Sequence, residues 1–263
     1  MNKTISAGCI AIAVFLGSCT KEDNSGDAQG NNNSSNPTCV NIKNMKITAT
    51  TPVNIGQPIQ VNATEVGGYR IYSCFGPNNF TSQYPDNQIT TTAELKHEGW
   101  YYVHVSSPDC TSRTDSVYID VKLLQGTPSC TVTANTAIYS NLFDDSYTSV
   151  KKHIDAGTSL LMLDAYLPSN MQVFFHPYWR TKEPEDGIYT TVNTQTFDQF
   201  DYNYNKVFIS TTKSSIYWSS QASQTVYVSH TGGKLQVRFC SLKLSGYNGT
   251  SYVTSASGNL LEN

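Results

Sequence analysis

The chain of 263 residues has a formal net charge of −3, and charged residues amount to 14% of it, against ~25% in an average domain. No basic patch stands out, so the composition gives no reason to expect a nucleic-acid partner. With 17 tyrosines among many Thr, Ser and Asn residues, the balance is typical of secreted β proteins, in which β-branched and aromatic strands alternate with polar turns.

The N-terminus has the three parts of an export leader. Lys3 is cationic, and residues 5–16 form an apolar run that is too short to span a bilayer, which takes ~20 residues. Two small residues then precede Cys19. This pattern resembles a bacterial lipoprotein signal. The resemblance implies that residues 1–18 are removed by cleavage before Cys19 and that the Cys19 sulfur carries a lipid. The alternative is an ordinary secretory leader that contains a cysteine.

The residues behind Cys19 refine the predicted location. Lys21-Glu22-Asp23 resembles the signal that exports lipoproteins to the outer face of Bacteroidota-type cells. Residues 19–37 are rich in Asn, Ser and Gly and have no apolar periodicity, which predicts a lipidated cysteine on a disordered tether. We therefore expect an outer-membrane protein that is held to the membrane by its N-terminal lipid and exposed at the cell surface. The alternative for the charged triplet is the solvated start of a linker.

The cysteines predict two disulfides and one leftover thiol. Cleavage of the leader removes Cys9, and lipidation occupies Cys19. An odd number of cysteines then remains in an oxidising compartment. The remaining cysteines are Cys39, Cys74, Cys110, Cys130 and Cys240. No C-x-x-C motif or Cys/His cluster with the spacing of a zinc site is present, so we expect no metal site. We also expect no cofactor.

Residues 38–124 show short strands separated by turn signals. Apolar and polar residues alternate around Ile59 and Val61 and around Tyr101 and Val103, as in half-buried strands. The predicted strands are 43–49, 58–63, 68–73, 88–95, 99–106 and 115–123. This spacing predicts a β-sandwich.

Residues 95–101 resemble the tyrosine corner of immunoglobulin (Ig) domains, in which a Tyr opens strand F behind a Gly. Gly99 would allow the turn, and the Tyr101 hydroxyl would bond to a backbone group upstream. The position of the usual second cysteine is Val103, so apolar packing replaces the inter-sheet disulfide. The resemblance places Cys74 on strand C as a small buried side chain. The alternative is a reactive thiol.

The resemblance to bacterial Ig-like or PKD-like surface modules implies a spacer or adhesive module rather than a catalyst. It also implies that Cys39 and Cys110 lie at the same end of the sandwich and pair, although pairing of Cys74 with Cys110 stays open. Asp115-Ser116-Val117 resembles an O-glycosylation site of Bacteroidota envelopes, with Ser116 as the acceptor.

Residues 125–263 are predicted to form a second antiparallel β-sandwich. The predicted strands are 159–167, 171–176, 187–193, 206–211, 225–230, 234–244 and 252–257. Only residues 144–155 suggest a short helix. Cys130 and Cys240 could link the beginning of this domain to a late strand. Residues 232–240 and 257–260 resemble parts of the C-terminal domains of small uncharacterised Bacteroidota lipoproteins, and this resemblance carries no known activity.

One stretch of the second domain suggests a ligand surface. Around Asp201, Tyr202 and Tyr204, aromatic residues alternate with Asp and Asn, as on sugar-binding surfaces. Trp179 and Trp218 could join them. The alternative is an ordinary loop whose aromatic rings cover the edge of the sandwich.

The acidic residues Glu183, Glu185 and Asp186 could supply one carboxylate of a glycosidase pair or a calcium loop, but the Pro and Gly around them favour a solvated turn.

The leading hypothesis is a non-enzymatic surface lipoprotein with two consecutive β-sandwich domains, in which an Ig-like spacer presents a distal domain for adhesion or ligand binding. The alternative is a glycan-binding accessory lipoprotein, and a glycoside hydrolase is less favoured. The expected partners are the membrane and a glycan or protein ligand.

Overall fold

The computed structural model describes residues 37–66, 70–108, 110–167, 169–197 and 204–263. The predicted leader, Cys19 and the charged triplet behind it lie outside the described residues, as do Asp201 and Tyr202. The described structure is almost entirely β, which confirms the predicted all-β class. No helix within the described ranges is long and apolar enough to cross a membrane.

The N-terminal strands have a sandwich-like arrangement. They are β1 (Ile47–Ala49), β2 (Val53–Asn54), β3 (Ile59–Ala63), β4 (Ile71–Gly76), β5 (Phe80–Ser82), β6 (Asp86–Thr90), β7 (Gly99–Ser107), β8 (Cys110–Ile119) and β9 (Val121–Lys122). A three-stranded sheet has the order β1-β3-β6, a four-stranded sheet has the order β5-β4-β7-β8, and β2 pairs in parallel with β9. Alternate residues such as Val61 and Val103 point inward and pack into the core.

The predicted tyrosine corner is confirmed. The Tyr101 hydroxyl donates a hydrogen bond to the His97 carbonyl oxygen at 3.0 Å. Gly99 has φ of +140°, a conformation that side chains disfavour, and a Cβ there would lie 2.7 Å from Pro77 Cγ. The Tyr101 ring is 1% exposed, so the corner anchors β7 in the core.

The chain enters this sandwich through a helix rather than a strand. Helix α1 spans Pro37–Asn44, so the predicted strand at 43–49 is shortened to β1. Proline suits the first turn of a helix because its missing N–H is not needed there. Ile42 is fully buried, and a disulfide joins Cys39 to Cys110 at the start of β8 with a Cα–Cα distance of 5.1 Å. The pairing implied by the Ig resemblance is therefore confirmed, and Cys74 is the free cysteine among the described residues.

The C-terminal strands form a single large sheet. They are β10 (Thr136–Tyr139), β11 (Asp145–Ser146), β12 (Ser149–Ile154), β13 (Leu161–Tyr166), β14 (Asn170–Phe175), β15 (Gly187–Thr191), β16 (Lys206–Lys213), β17 (Ile216–Ser220), β18 (Thr225–Thr231), β19 (Lys234–Tyr247) and β20 (Ser251–Leu261). The order is β11-β10-β20-β19-β18-β15-β16-β14-β13-β12, and β17 pairs with both β16 and β19. This double pairing closes β15 to β19 into a ring.

Two details of the C-terminal prediction were wrong. The strands are antiparallel except for β15 and β16, which pair in parallel. The suggested helix at 144–155 is instead the strands β11 and β12, where Val150 points into the core and both neighbours do not. This period of two is the pattern of a strand.

The second predicted disulfide, Cys130–Cys240, is also present, with a Cα–Cα distance of 5.7 Å. Cys240 lies at the register shift between β19 and β20, and Cys130 N–H donates to its Sγ at 3.0 Å. The bond therefore ties the chain entering the C-terminal part to the longest hairpin of the sheet.

The strands of the two parts share no sheet among the described residues, but the connecting segment contacts both. Ile188 N–H donates to the Leu124 carbonyl at 2.8 Å, and the Gln125 side chain donates to the Asp186 carbonyl at 2.8 Å. A Cβ on Gly187 would collide with the Leu123 side chain, so the close approach at this junction depends on a glycine.

Candidate binding surface

The two tryptophans predicted to join a ligand surface lie in the core. Trp179 is 1% exposed and Trp218 is 2% exposed. The Trp179 indole N–H donates to the Tyr204 carbonyl at 2.6 Å, and a Cβ on Gly246 would lie 2.7 Å from Trp218 Cε3. Both rings therefore fill space between strands and cannot stack on a bound molecule, so this part of the prediction was wrong.

Tyr204 is the one member of the predicted surface that is described and partly exposed. Its ring stacks on Tyr178, with centroids 4.1 Å apart and an interplanar angle of 5°. The His176 ring lies 5.1 Å from the Tyr204 centroid. Tyr204 is thus already packed by its own neighbours, which favours the structural alternative for this side chain.

A set of exposed aromatic rings lies instead on the outer side of the four-stranded N-terminal sheet. Phe75, Trp100, Tyr102 and Tyr118 form this aromatic face, with exposed fractions of 43%, 52%, 36% and 39%. Phe75 is opposite Tyr102 in the β4–β7 register, and Trp100 is opposite Tyr118 in the β7–β8 register. Each of these cross-strand pairs has its ring centroids 5.5 Å apart.

The alternation of β7 explains why these rings point outward. Tyr101, Val103 and Val105 are buried, so the residues between them face the other side of the sheet. The sequence contained this signal, because the same period of two that predicts buried Tyr101 also places Trp100 and Tyr102 outside. The cross-strand neighbours could not be read from it, since they depend on the register of β4 and β8.

Polar groups surround the aromatic face. The Tyr118 hydroxyl donates to Glu98 Oε1 at 2.9 Å, and His104 Nδ1 lies 2.9 Å from Thr114 Oγ1. Partial burial, together with the hydrogen bond to Glu98, raises the pKa of Tyr118 to about 12. Tyr118 therefore stays a neutral phenol at physiological pH, and the hydrogen bond fixes the orientation of its ring.

Ser116, the predicted O-glycosylation acceptor, lies on this same surface. It is exposed on β8 and stands directly opposite Tyr102 in the register. Asp115, its neighbour in the predicted motif, accepts a hydrogen bond from Ile47 N–H at 3.0 Å. Modification of Ser116 stays a prediction, and a glycan attached there would cover the adjacent ring of Tyr102.

The acidic residues that precede β15 have different partners. Glu183 forms an ion pair with Lys152 at 2.8 Å, and Asp186 lies 2.6 Å from His230 Nδ1. Burial, followed by the nearby Glu98 carboxylate, raises the pKa of Glu185. Across the described ranges, no three His, Cys, Asp or Glu side chains are grouped to hold a metal ion.

A buried ion pair in the C-terminal part was not predicted from the sequence. Lys213 on β16 is 8% exposed and Asp145 on β11 is 3% exposed, and Lys213 Nζ lies 2.8 Å from Asp145 Oδ1. The Ser169 hydroxyl donates to the other carboxylate oxygen at 2.6 Å. Lys213 Nζ also lies 4.5 Å from the centroid of the Tyr139 ring. The pair connects two strands that are remote in the sheet order.

A scan of the chain against protein-family models gave no match. No curated protein was found to be significantly similar to it.

Proposed function

We propose that the protein is a non-enzymatic lipoprotein of a bacterial outer membrane, anchored through Cys19 and displayed at the cell surface for adhesion. The leader and the charged triplet behind Cys19 support the anchor and the location. The ion pair of Glu183 with Lys152 and the short polar contact of Asp186 with His230 favour a structural role for the carboxylates that a hydrolase would use.

The observation that carries the proposal is the aromatic face. Large exposed apolar patches are uncommon on monomeric soluble proteins and mark interaction sites. Tryptophan and tyrosine dominate the energetic centres of protein interfaces, and Trp100 has the largest exposed fraction of the four rings. Because each ring packs against a cross-strand neighbour, little side-chain entropy is lost on binding. The ligand that suits this face best is the surface of another protein.

This assigns the contact to the N-terminal part rather than to the distal domain expected from the sequence. The distal surface was expected to use Trp179 and Trp218, which are buried. In this proposal the C-terminal part, a large β-sheet with one disulfide, is not the binding surface. Which part lies farther from the membrane does not affect the proposed contact.

Mass spectrometry of the protein purified from its native membrane tests the anchor. The expected result is an N-terminal residue 19 that carries acyl chains, together with loss of the protein from intact cells on mild protease treatment. The variant Cys19→Ala should remain unacylated and be recovered in the soluble envelope fraction. An unmodified thiol at residue 19 or an uncleaved leader in the native protein would contradict the proposal.

Binding to an array of purified immobilised proteins tests the aromatic face. We expect a protein ligand whose affinity falls by about 30-fold or more with Trp100→Ala, because interface hot spots contribute ~2 kcal/mol or more. Tyr84→Ala is the matched control, since Tyr84 is 72% exposed in the same part of the chain but lies outside the aromatic face. An affinity that changes equally in both variants, or no protein ligand at all, would contradict the assignment.

A further inference from the structure

A second surface feature, distinct from the aromatic face, is a groove on the three-stranded N-terminal sheet. Gln60 on β3 and Gln88 on β6 are direct cross-strand partners, and both are exposed. The segment that includes Asn54 and Gln57 lies beside them and completes an open groove of about 480 Å³. Ligand pockets commonly have volumes of ~300–1,000 Å³, so this groove can hold a small ligand.

The lining of the groove is polar but uncharged. Asn54, Gln57, Gln60 and Gln88, which carry carboxamides, line the groove, and none of the described residues that line it is ionisable. A carboxamide offers donors and an acceptor side by side. In the part of the chain that the structure describes, the carboxamides of the three glutamines bond to no other protein group, so they can bond to a ligand.

The backbone around the groove is held in place before any ligand arrives. Val53 N–H donates to the Asp120 carbonyl and Gly56 N–H donates to the Ala93 carbonyl, each at 2.9 Å. Gln60 and Gln88 sit on paired strands, so their Cβ atoms lie only ~4.5–5.5 Å apart and their carboxamides reach the same ligand. The backbone of the groove therefore needs no rearrangement on binding, and the ordering cost is confined to the side chains.

We propose that this groove is a binding site for a neutral oligosaccharide. Adjacent sugar hydroxyls each donate and accept, which matches adjacent carboxamides. Pro52 and Pro58 line the same groove and offer apolar C–H surface to the ring of the sugar. A charged ligand is disfavoured, because no lining side chain could compensate a desolvated charge. The site lies on the sheet opposite the aromatic face and does not depend on the adhesion proposed above.

A printed array of neutral oligosaccharides, followed by titration calorimetry with the best binder, tests this site. The expected result is binding that weakens by about tenfold or more in the double variant Gln60→Ala/Gln88→Ala, since each lost hydrogen bond weakens binding several-fold. Gln83→Ala is the matched control, because Gln83 is exposed in the same part but does not line the groove. Gln57→Ala, outside the paired strands, should weaken binding without affecting the sheet.

The outcomes separate this site from the aromatic face. Trp100→Ala should leave oligosaccharide binding unchanged, whereas the double glutamine variant should leave the protein ligand of the aromatic face bound as before. Absence of binding to every neutral oligosaccharide would overturn the proposal. The proposal would also be overturned if the double variant kept the wild-type circular dichroism spectrum and bound the oligosaccharide with unchanged affinity. Binding of a peptide in the groove, and of no oligosaccharide, would overturn it as well.

Discussion

Breaking the buried ion pair between Lys213 and Asp145 should strongly lower the free energy of unfolding. Replacing Lys213 by Met removes the cation but keeps most of the side-chain volume. Asp145, which is 3% exposed, would then lie in the core without its cation, and the Ser169 hydroxyl would still donate to its carboxyl group. Removing one partner of a buried pair costs about 3–5 kcal/mol, whereas replacing both by apolar residues is often neutral.

Urea unfolding followed by circular dichroism measures this cost. We expect Lys213→Met to lower the free energy of unfolding by about 3–5 kcal/mol and the double variant Lys213→Met/Asp145→Leu to recover most of that loss. Lys152→Met is the matched control, because Lys152 pairs with Glu183 and Glu262, whose side chains are 59% and 23% exposed, and pairs closer to solvent contribute less, about 1 kcal/mol when fully exposed. If Lys213→Met costs no more than Lys152→Met, the reasoning is refuted.

The remaining predictions concern the N-terminal sandwich. Tyr101→Phe removes the hydrogen bond to the His97 carbonyl and should lower the free energy of unfolding by about 1–3 kcal/mol in the same urea assay. Burial lowers the pKa of His97, and its Nδ1 accepts from Glu94 N–H, so protonation opposes the fold. Stability should therefore be complete above about pH 6.5 and fall as the pH drops below that value, with a smaller loss in His97→Gln. Replacing both Cys39 and Cys110 by Ser should cost about 4 kcal/mol, because the bond closes a loop with a separation of 71 residues.

Each of these predictions has a contrary result. An unchanged stability of Tyr101→Phe would mean that the His97 carbonyl finds another donor. Identical pH profiles for the wild type and His97→Gln would assign the acid sensitivity to other groups. If the Cys39→Ser/Cys110→Ser variant were as stable as the wild type, the disulfide would not restrict the unfolded chain.

The local pattern of the sequence determined most of the N-terminal sandwich. A period of two in β7, with Gly99 before Tyr101, was enough to predict a strand, its buried face and the tyrosine corner. These features depend on residues close in the chain, where backbone sterics and side-chain alternation decide the outcome. The same alternation already placed Trp100 on the outer side.

The tertiary structure alone decided where remote residues meet. Trp179 and Trp218 are aromatic residues whose burial depends on which strands cover them, and composition cannot tell a core ring from a ligand platform. The pairing of Lys213 with Asp145 and the parallel contact of β15 with β16 required the order of the whole sheet. The cross-strand rings and the glutamine groove have the same origin. Pairing register is a property of two segments, so it is fixed only when long-range hydrogen bonds and core packing select one alignment.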